Sequence, residues 1–255
     1  IGIHQTTSVA EANGLPEAML ADVQPASNCA QTLPNLQRCV TTAAWSAQRT
    51  GDTAALTIIA DTLRSGVEKE RGPALYYRTY WLAYTDYLLA SFALGKKKLD
   101  QVNATTLEAD ALLVKLSNKD QETYALQDLV LLLRFAVTSP TEMGPLLTKT
   151  SELRSILAKT TSIRGLYALA LADYYTPKQY GGGRVAEGLL RQALETPEEP
   201  PSPLKPTWGR DDCAALLVQI LRQRGANDEA TSLYQQWHQK YPDSIALASV
   251  AATSK

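Results

Sequence analysis

The side chains with the clearest chemical potential in this sequence are aromatic and lie close together. Positions 76–87 hold Tyr76, Tyr77, Tyr80, Trp81, Tyr84 and Tyr87. On a helix, Tyr77, Trp81 and Tyr84 share one face because they are three and four residues apart. Rings with polar rims bury apolar area and keep a hydrogen-bonding edge, which favours them at recognition surfaces. We therefore predict that these three residues bind a ligand or partner.

The same stripe would also suit a core between packed helices, with buried rings and internally bonded hydroxyls. A helix with so many tyrosines carries more hydroxyls than a dry core satisfies easily, which supports partial exposure. Tyr174, Tyr175 and Arg184 form a second predicted binding patch, because arginine supplies a planar donor that stacks on rings or pairs with carboxylates. The burial of the rings separates the two interpretations.

Residues for familiar hydrolytic catalysis are scarce. The two histidines are His4, in a weakly patterned N-terminal segment, and His238, which stands among glutamines. Ser/His/Asp and Cys/His systems need a histidine beside the nucleophile, so the sequence predicts no catalytic residue of these kinds. An enzyme of an unfamiliar type that uses carboxylates or tyrosines is the alternative to a binding protein.

Two polar motifs precede predicted helices. Asp211 and Asp212 follow a Trp-Gly pair, where acidic side chains satisfy free amides and the helix dipole, so capping is favoured over acid–base catalysis. The Gly-Gly-Gly-Arg run at 181–184 could hold an anion at a helix N-terminus. It lacks the Gly-Lys-Ser/Thr ending of a phosphate-binding loop, so we expect a flexible connection.

The three cysteines, Cys29, Cys39 and Cys213, match no zinc-ligand spacing, and we expect neither a metal nor a cofactor. Cys29 and Cys39 are far enough apart to close a disulfide loop in an oxidising compartment. The sequence is equally consistent with two free thiols at these positions. Cys213 stands among alanines and leucines, which indicates a small buried side chain.

Charge is almost balanced, with 25 basic and 26 acidic residues, so nothing resembles the basic stripe that nucleic-acid binding requires. The one basic run, at 96–98, follows an apparent helix end and complements its dipole. No stretch approaches the ~20 apolar residues of a membrane span. Because the chain begins with Ile1 rather than Met, we expect an N-terminal part, such as an export signal, to have been removed.

The elements that carry these residues are predicted to be helices. Apolar residues recur at helical spacing from residue 34 onward, and no alternating run predicts a strand. Ten helices in five antiparallel pairs are expected, including 73–94, 99–116, 143–157, 163–175, 185–194, 209–224 and 227–240. The proline-rich stretch 197–206 predicts a stiff, extended connection. Residues 1–33 are predicted to be a loosely structured arm, 34–245 the helical array and 246–255 a tail.

A repeat signal strengthens this assignment. Gly225, Ala230, Tyr234 and Pro242 are spaced like the second half of a tetratricopeptide (TPR) repeat. A small side chain at 230 lets its helix approach the helix 209–224, so we predict that Ala230 is almost fully buried. The predicted fold is all-α, a TPR-like right-handed superhelical array of about five antiparallel helix hairpins.

A further pattern lies within residues 174–212: Tyr-Tyr-x-Pro, then Gly-Gly-Gly, an alanine-rich helix, and Ser-Pro…Pro-x-Trp-Gly. This combination resembles a family of exported bacterial TPR-like proteins, over roughly residues 73–242. It departs from them just before Ile163, where such proteins often have Asn-Pro-Arg-Ala. The family has no established activity. The resemblance therefore implies a TPR-like fold and a periplasmic or secreted location, without a mechanism.

The function that these features predict is a non-catalytic binding or scaffold module. It would take a peptide, a protein segment or a small ligand in an aromatic-lined groove. A protein or peptide is the first choice of partner, a small molecule the second, and nucleic acid is not expected.

Overall fold

The computed structural model describes residues 29–200 and 202–251, apart from the side chain of residue 35. This part of the chain is helical and contains no strand. Its eleven α-helices are α1 (Leu36–Thr50), α2 (Ala54–Val67), α3 (Gly72–Gly95), α4 (Leu99–Lys115), α5 (Gln121–Arg134), α6 (Met143–Leu157), α7 (Ile163–Tyr175), α8 (Ala186–Glu195), α9 (Arg210–Gln223), α10 (Asn227–Lys240) and α11 (Ile245–Ala251). Short 3-10 turns lie at Leu33–Asn35 and Lys178–Tyr180. Within the described ranges, no helix combines the length and apolarity needed to cross a bilayer.

The helices pack in neighbouring pairs. Each helix from α1 to α10 contacts the next one along the chain. The odd-numbered helices also contact one another in succession, from α1 through α3, α5 and α7 to α9. We call these five helices the odd row. The row carries the segment of six aromatic residues, on α3, and the Tyr-Tyr pair that ends α7.

Helix α3, the longest helix of the described chain, is surrounded by other helices. Pro73 lies in its first turn, where its fixed φ suits the helix and its missing N–H costs nothing. Buried residues then occur on every side of the helix over 78–86. A helix surrounded in this way is buried by its neighbours rather than lying on the surface with one apolar stripe. Helices α1, α2, α4 and α5 all contact it.

The α9–α10 hairpin agrees with the spacing of the repeat. Gly225 has φ +84°, a left-handed conformation that closes a helix and that side chains rarely adopt. The Ala226 N–H donates to the Leu221 carbonyl at 2.9 Å across this turn. Ala230 is fully buried, which confirms the prediction of its burial.

Both ends of the described chain are attached to the array. Cys29 and Cys39 form a disulfide with a Cα–Cα separation of 5.9 Å. Cys213 is free and buried. The C-terminal segment, predicted to be a tail, contains α11, which buries Leu247 and Val250 and contacts α9, α10 and α1. Most of the arm predicted for residues 1–33 lies outside the described residues.

Candidate functional site

The aromatic residues predicted to bind a ligand lie deeper than the sequence suggested. Trp81 is 1% exposed and Tyr84 is 9% exposed, while Tyr77 is half-buried against the same core. Trp81 meets Tyr80 and Tyr84 edge to face, with ring centroids 5.6 Å apart in both contacts. Trp81 and Tyr84 are therefore core side chains here, and neither lines either of the two surface depressions described below.

These rings are covered by a distant part of the same chain. The segment 202–209, which we call the strap, runs from the proline-rich connection to α9. Trp208 stacks on Tyr84 with centroids 4.7 Å apart and donates its indole N–H to the Tyr80 hydroxyl at 3.2 Å. The Trp81 indole N–H donates to the Leu204 carbonyl at 3.2 Å. The Tyr80 hydroxyl and the indole N–H groups of Trp81 and Trp208 are thus bonded within the chain.

Helix α1 also holds the strap. The amide of Gln37 makes two hydrogen bonds to one residue, as a receptor does with an extended peptide. Its Nε2 donates to the Thr207 hydroxyl at 2.7 Å, and its Oε1 accepts from the Thr207 backbone N–H at 2.8 Å. The strap therefore lies across α1 and α3, joined to both by hydrogen bonds from side chains to its backbone.

A buried arginine joins the strap to the middle of the odd row. Arg164, on α7, is 1% exposed and donates to the Trp208 carbonyl at 2.7 Å. It also forms ion pairs with Glu122 of α5 and with Glu199, which precedes the strap. Burial disfavours its charge, but the hydrogen bonds to Glu199 and Glu122 outweigh burial and raise the pKa of the guanidinium. Arg164 is therefore a structural ion-pair centre.

Four partly exposed residues and the buried ring of Tyr84 are connected by ring contacts or by electrostatic effects on one another: Tyr84, Tyr87, Tyr167, Tyr175 and Asp212. We call them the Tyr–Asp surface. Tyr87 stacks near Tyr84 at 6.2 Å, and Tyr167 meets the edge of Trp208 at 6.5 Å with an interplanar angle of 89°. Tyr87, Tyr167 and Asp212 are half-buried, and Tyr175 is 46% exposed. Asp212 belongs to the first turn of α9, directly after the strap.

Burial and neighbouring charges act on these groups together. Burial raises the pKa of Tyr84, Tyr87 and Tyr167, and the negative charge of Asp212 raises each of them further. Tyr175 contributes in the same direction to Tyr87 and Tyr167. Burial also raises the pKa of Asp212 well above its ordinary value, with a further contribution from Asp211. The Asp212 carboxyl group is therefore near enough to these three tyrosines to affect their ionisation.

Among the described residues, the hydroxyls of Tyr84 and Tyr167 have no hydrogen-bond partner, and neither Asp211 nor Asp212 forms an ion pair. Gly209 is the N-cap of α9 and receives no side-chain capping bond, but the Asp212 carboxyl group accepts a hydrogen bond from its own backbone N–H in the first turn, which partly offsets the rise in its pKa caused by burial and Asp211. The first-turn position still suits negative charge, through the helix dipole. Tyrosine hydroxyls without an intramolecular partner are available to water or to a ligand.

The second predicted patch is only partly assembled. Tyr174 and Tyr175 meet edge to face with centroids 5.1 Å apart. The Tyr174 hydroxyl accepts a hydrogen bond from Gln223 of α9. Tyr175 joins the Tyr–Asp surface, whereas Arg184 is exposed on the following loop without a described contact to either ring.

The glycine run before α8 does not form an anion site. Its N-terminal amides, Val185 N–H and Ala186 N–H, both donate to the Asp173 carboxylate, at 2.9 and 2.8 Å. Gly182 packs so tightly that a Cβ would lie 1.8 Å from the Thr176 carbonyl oxygen. A carboxylate from the chain itself thus occupies the position that a phosphate would take.

Comparison with family models, with curated proteins and with solved structures gives no significant match. Function must therefore be inferred from the chemistry of the surface.

The other parts of the described chain contain no comparable group of candidate functional residues. No group of three metal-ligating side chains occurs in the part of the chain that the structure describes. His238 stacks on Tyr234 at 5.2 Å, on the outer helix α10. One surface depression of about 430 Å³ is lined by α6 residues and another of about 600 Å³ by the α4–α5 loop, and neither contains a carboxylate. An acid–base pair in a closed pocket is absent from both.

Sequence reasoning missed Tyr167, Trp208 and Asp212 as site residues and used Tyr87 only as a neighbour of the predicted face. Trp208 did stand out, within the Pro-x-Trp-Gly motif. Its spatial partners gave no local signal, because Tyr84 and Trp208 are separated by more than a hundred residues.

Proposed function

We propose that this chain is a non-catalytic binding module that receives a peptide or a segment of a partner protein on the Tyr–Asp surface. The observation that carries this proposal is the way in which the odd row holds its own strap. Ring stacking on Trp208 and side-chain hydrogen bonds to the backbone of Leu204 and Thr207 are the contacts by which helical grooves hold extended peptides. The residues of the Tyr–Asp surface belong to three helices of the same odd row, α3, α7 and α9.

The tyrosine-rich composition of the Tyr–Asp surface supports a role in binding a partner. Tyrosine rings offer rigid contact area with a polar edge, and they are enriched where proteins bind partners. Tyr175 is well exposed, and Tyr87 and Tyr167 are partly so. Single exposed apolar residues are common on any protein, but a group of adjoining rings beside an unpaired acid is not explained by packing alone.

The proposal also includes a TPR-like fold and a periplasmic or secreted location. Five helix pairs with a continuous odd row and a small residue, Ala230, between paired helices support a TPR-like right-handed superhelix. The resemblance to exported bacterial TPR-like proteins supports a periplasmic or secreted location. The Cys29–Cys39 disulfide supports it too, because such bonds persist in oxidising compartments.

Selection from a peptide library tests the function directly. Wild-type protein is immobilised, and bound peptides from a display library are sequenced over successive rounds. We expect a defined sequence motif to be enriched, and we expect it to be lost with the double variant Tyr87→Ala/Tyr175→Ala.

The matched control is Tyr180→Ala, which removes a 76% exposed tyrosine from the loop after α7, outside the Tyr–Asp surface. It should enrich the same motif as the wild type. If no motif is enriched, or if the double variant enriches it as well as the control, the proposed function is wrong.

A further inference from the structure

The segment that begins the described chain forms a covalent ring. The disulfide between Cys29 and Cys39 closes this ring over ten residues. The ring contains the 3-10 turn Leu33–Asn35 and the first residues of α1. Cys39 is 4% exposed and packs in the core, whereas Cys29 is half-buried. Of the two cysteines, Cys29 is therefore the one that a small molecule in solution can approach.

A buried arginine of α3 holds one side of the ring. Arg78 is 6% exposed, and its guanidinium donates to the carbonyl oxygens of Ala30 at 3.2 Å and Gln31 at 3.4 Å. The same group forms an ion pair with Glu70 at 2.5 Å. Arg78 Nε and Glu70 Oε2 have no hydrogen-bond partner among the described residues. The two carbonyls of the ring are therefore needed to satisfy this buried charge.

The other side of the ring holds the strap. Gln37 lies inside the ring, and its amide binds both the hydroxyl and the backbone N–H of Thr207. The next residue of the strap, Trp208, stacks on Tyr84 of α3. Helix α1 also contacts α11. The ring thus lies at the junction where the first helix of the described array meets the strap and the last helix.

The start of α1 has little local support. No side chain of the described chain caps the 3-10 turn that precedes it, and the first turn of α1 contains no acidic residue to complement the helix dipole. Helix ends fray where such interactions are missing. The disulfide opposes this fraying, because it ties Cys39 of α1 to Cys29 on the other side of the turn. Gln37 lies between these two fixed points.

From these contacts we infer that the Cys29–Cys39 disulfide is a reversible redox site, which controls how tightly α1 holds the strap. Reduction opens the ring, so the start of α1 frays more often and Gln37 binds Thr207 for less of the time. Because the strap leads into α9, the weaker contact loosens both ends of the described array. This inference does not depend on a partner that binds the Tyr–Asp surface.

The reaction partner of this site is a dithiol. One thiolate of the dithiol attacks the Cys29 sulfur and forms a mixed disulfide, while Cys39 leaves as a thiolate and takes up a proton. The second thiolate then attacks the sulfur of the dithiol in the mixed disulfide, and Cys29 leaves and is protonated. Two electrons pass from the dithiol to the protein, and the dithiol becomes a disulfide. Oxidation of the two cysteines restores the ring.

Hydrogen exchange on the oxidised and reduced wild-type protein tests this inference. Dithiothreitol is the dithiol, and alkylation followed by mass spectrometry measures the thiols of Cys29 and Cys39. Reduction should be complete well before the chain unfolds globally, and the buried Cys213 should stay unmodified. Amides of α9 and α10 should then exchange roughly 50-fold faster, as should those of α1, which is the size of effect expected for a ring of ten residues.

Variants of α1 show whether the effect passes through the strap. In Gln37→Ala the contact with Thr207 is already lost, so reduction should accelerate exchange in α9 and α10 less than in the wild type, by roughly threefold or more. Arg38→Ala, at the next, exposed position, should respond to reduction as the wild type does. The double variant Cys29→Ser/Cys39→Ser should reproduce the reduced protein without a reductant. If it does not fold, the reduced wild type supplies the same comparison.

The other outcomes overturn the inference. Faster exchange confined to α1, or equal acceleration of α9 and α10 in Gln37→Ala and the wild type, would show that the disulfide stabilises the chain without acting on the strap. Reduction that proceeds only at the rate of global unfolding would show that the bond is closed to a dithiol in the folded protein. Unfolding of the whole chain on reduction, without recovery on oxidation, would exclude a reversible site.

Discussion

At the scale of single residues, Asp86 shows how a buried acid couples stability to pH. It lies on α3 and is 1% exposed, with one oxygen 3.7 Å from Arg64 Nη2 and the other without a partner among the described residues. Burial raises the pKa of Asp86 to about 8, Glu108 adds to the rise, and Arg64 opposes it. The folded protein therefore binds this proton more tightly than the unfolded chain does.

The sign of the pH dependence follows from linkage. Between the ordinary pKa of 3.8 and about 8, the folded state holds the proton and the unfolded state loses it, so stability falls as pH rises. Asp86→Asn cannot titrate. Relative to this variant, the wild type should lose about 2–3 kcal/mol of unfolding free energy between roughly pH 5 and pH 7.

Urea denaturation of both proteins across this range measures the difference. Asp100→Asn is the control, because Asp100 is exposed on α4 and does not contribute to the shifted pKa of Asp86. It should follow the wild-type curve. Asp128, whose pKa is raised to about 6 by burial, contributes a slope of the same sign in every protein and cancels in the comparison. Parallel wild-type and Asp86→Asn curves would contradict the prediction.

Unlike Asp86, Arg164 is a buried charged residue that is paired with oppositely charged groups. Arg164→Ala should cost roughly 3–5 kcal/mol, because it leaves Glu122 and the Trp208 carbonyl without their partner at a buried junction. Arg191→Ala removes an arginine that also pairs with two glutamates, but one that is 40% exposed. Its cost should stay below about 1 kcal/mol. Similar denaturation midpoints for the two variants would refute the assignment of Arg164 as a structural centre.

At the scale of elements, the helices themselves were accessible from the sequence. Three of the predicted ranges, 143–157, 163–175 and 227–240, coincide with α6, α7 and α10, because apolar periodicity and helix-ending residues are local signals. The burial of Trp81 and Tyr84 was not accessible. It depends on Trp208, which reaches α3 only after five further helices have placed it there.

The same contrast applies to the candidate site. Tyr175 was predicted from the sequence because it belongs to a visible Tyr-Tyr pair. Asp212 was predicted to cap a helix, since its local context, a first turn after glycine, favours that role. Its electrostatic effect on tyrosines of α3 and α7 follows from the tertiary structure, in which α9 packs against α7.

Within one hairpin, packing at Ala230 is a sensitive test of the repeat alignment. Ala230→Phe would force a large ring into a position with no exposed surface, between α9 and α10. We expect a loss of roughly 1–3 kcal/mol, measured as a lower thermal midpoint. Ser232→Phe places the same ring on the exposed side of α10 and should leave the midpoint nearly unchanged.

At the scale of the whole molecule, the two ends of the described array are connected. An open array of repeats has contacts only between neighbours, so its ends can unfold independently. In this chain α11 contacts α1, and Gln37 of α1 binds the strap that leads into α9. These contacts join the first and last hairpins, so we expect the described array to unfold as one cooperative unit.

Hydrogen exchange on Gln37→Ala tests this cooperativity. Loss of the two hydrogen bonds to Thr207 should lower the opening free energy by about 1–2 kcal/mol. In a cooperative unit this loss appears equally in the amides of α1 and in those of α9 and α10. In an array of independent hairpins it would be confined to α1 and the strap. Arg38→Ala alters the next, exposed position of α1 and should leave exchange unchanged throughout. A loss confined to α1 would show that the strap lies on the array without joining its ends, and Trp208 would then be free to leave Tyr84 without unfolding the rest.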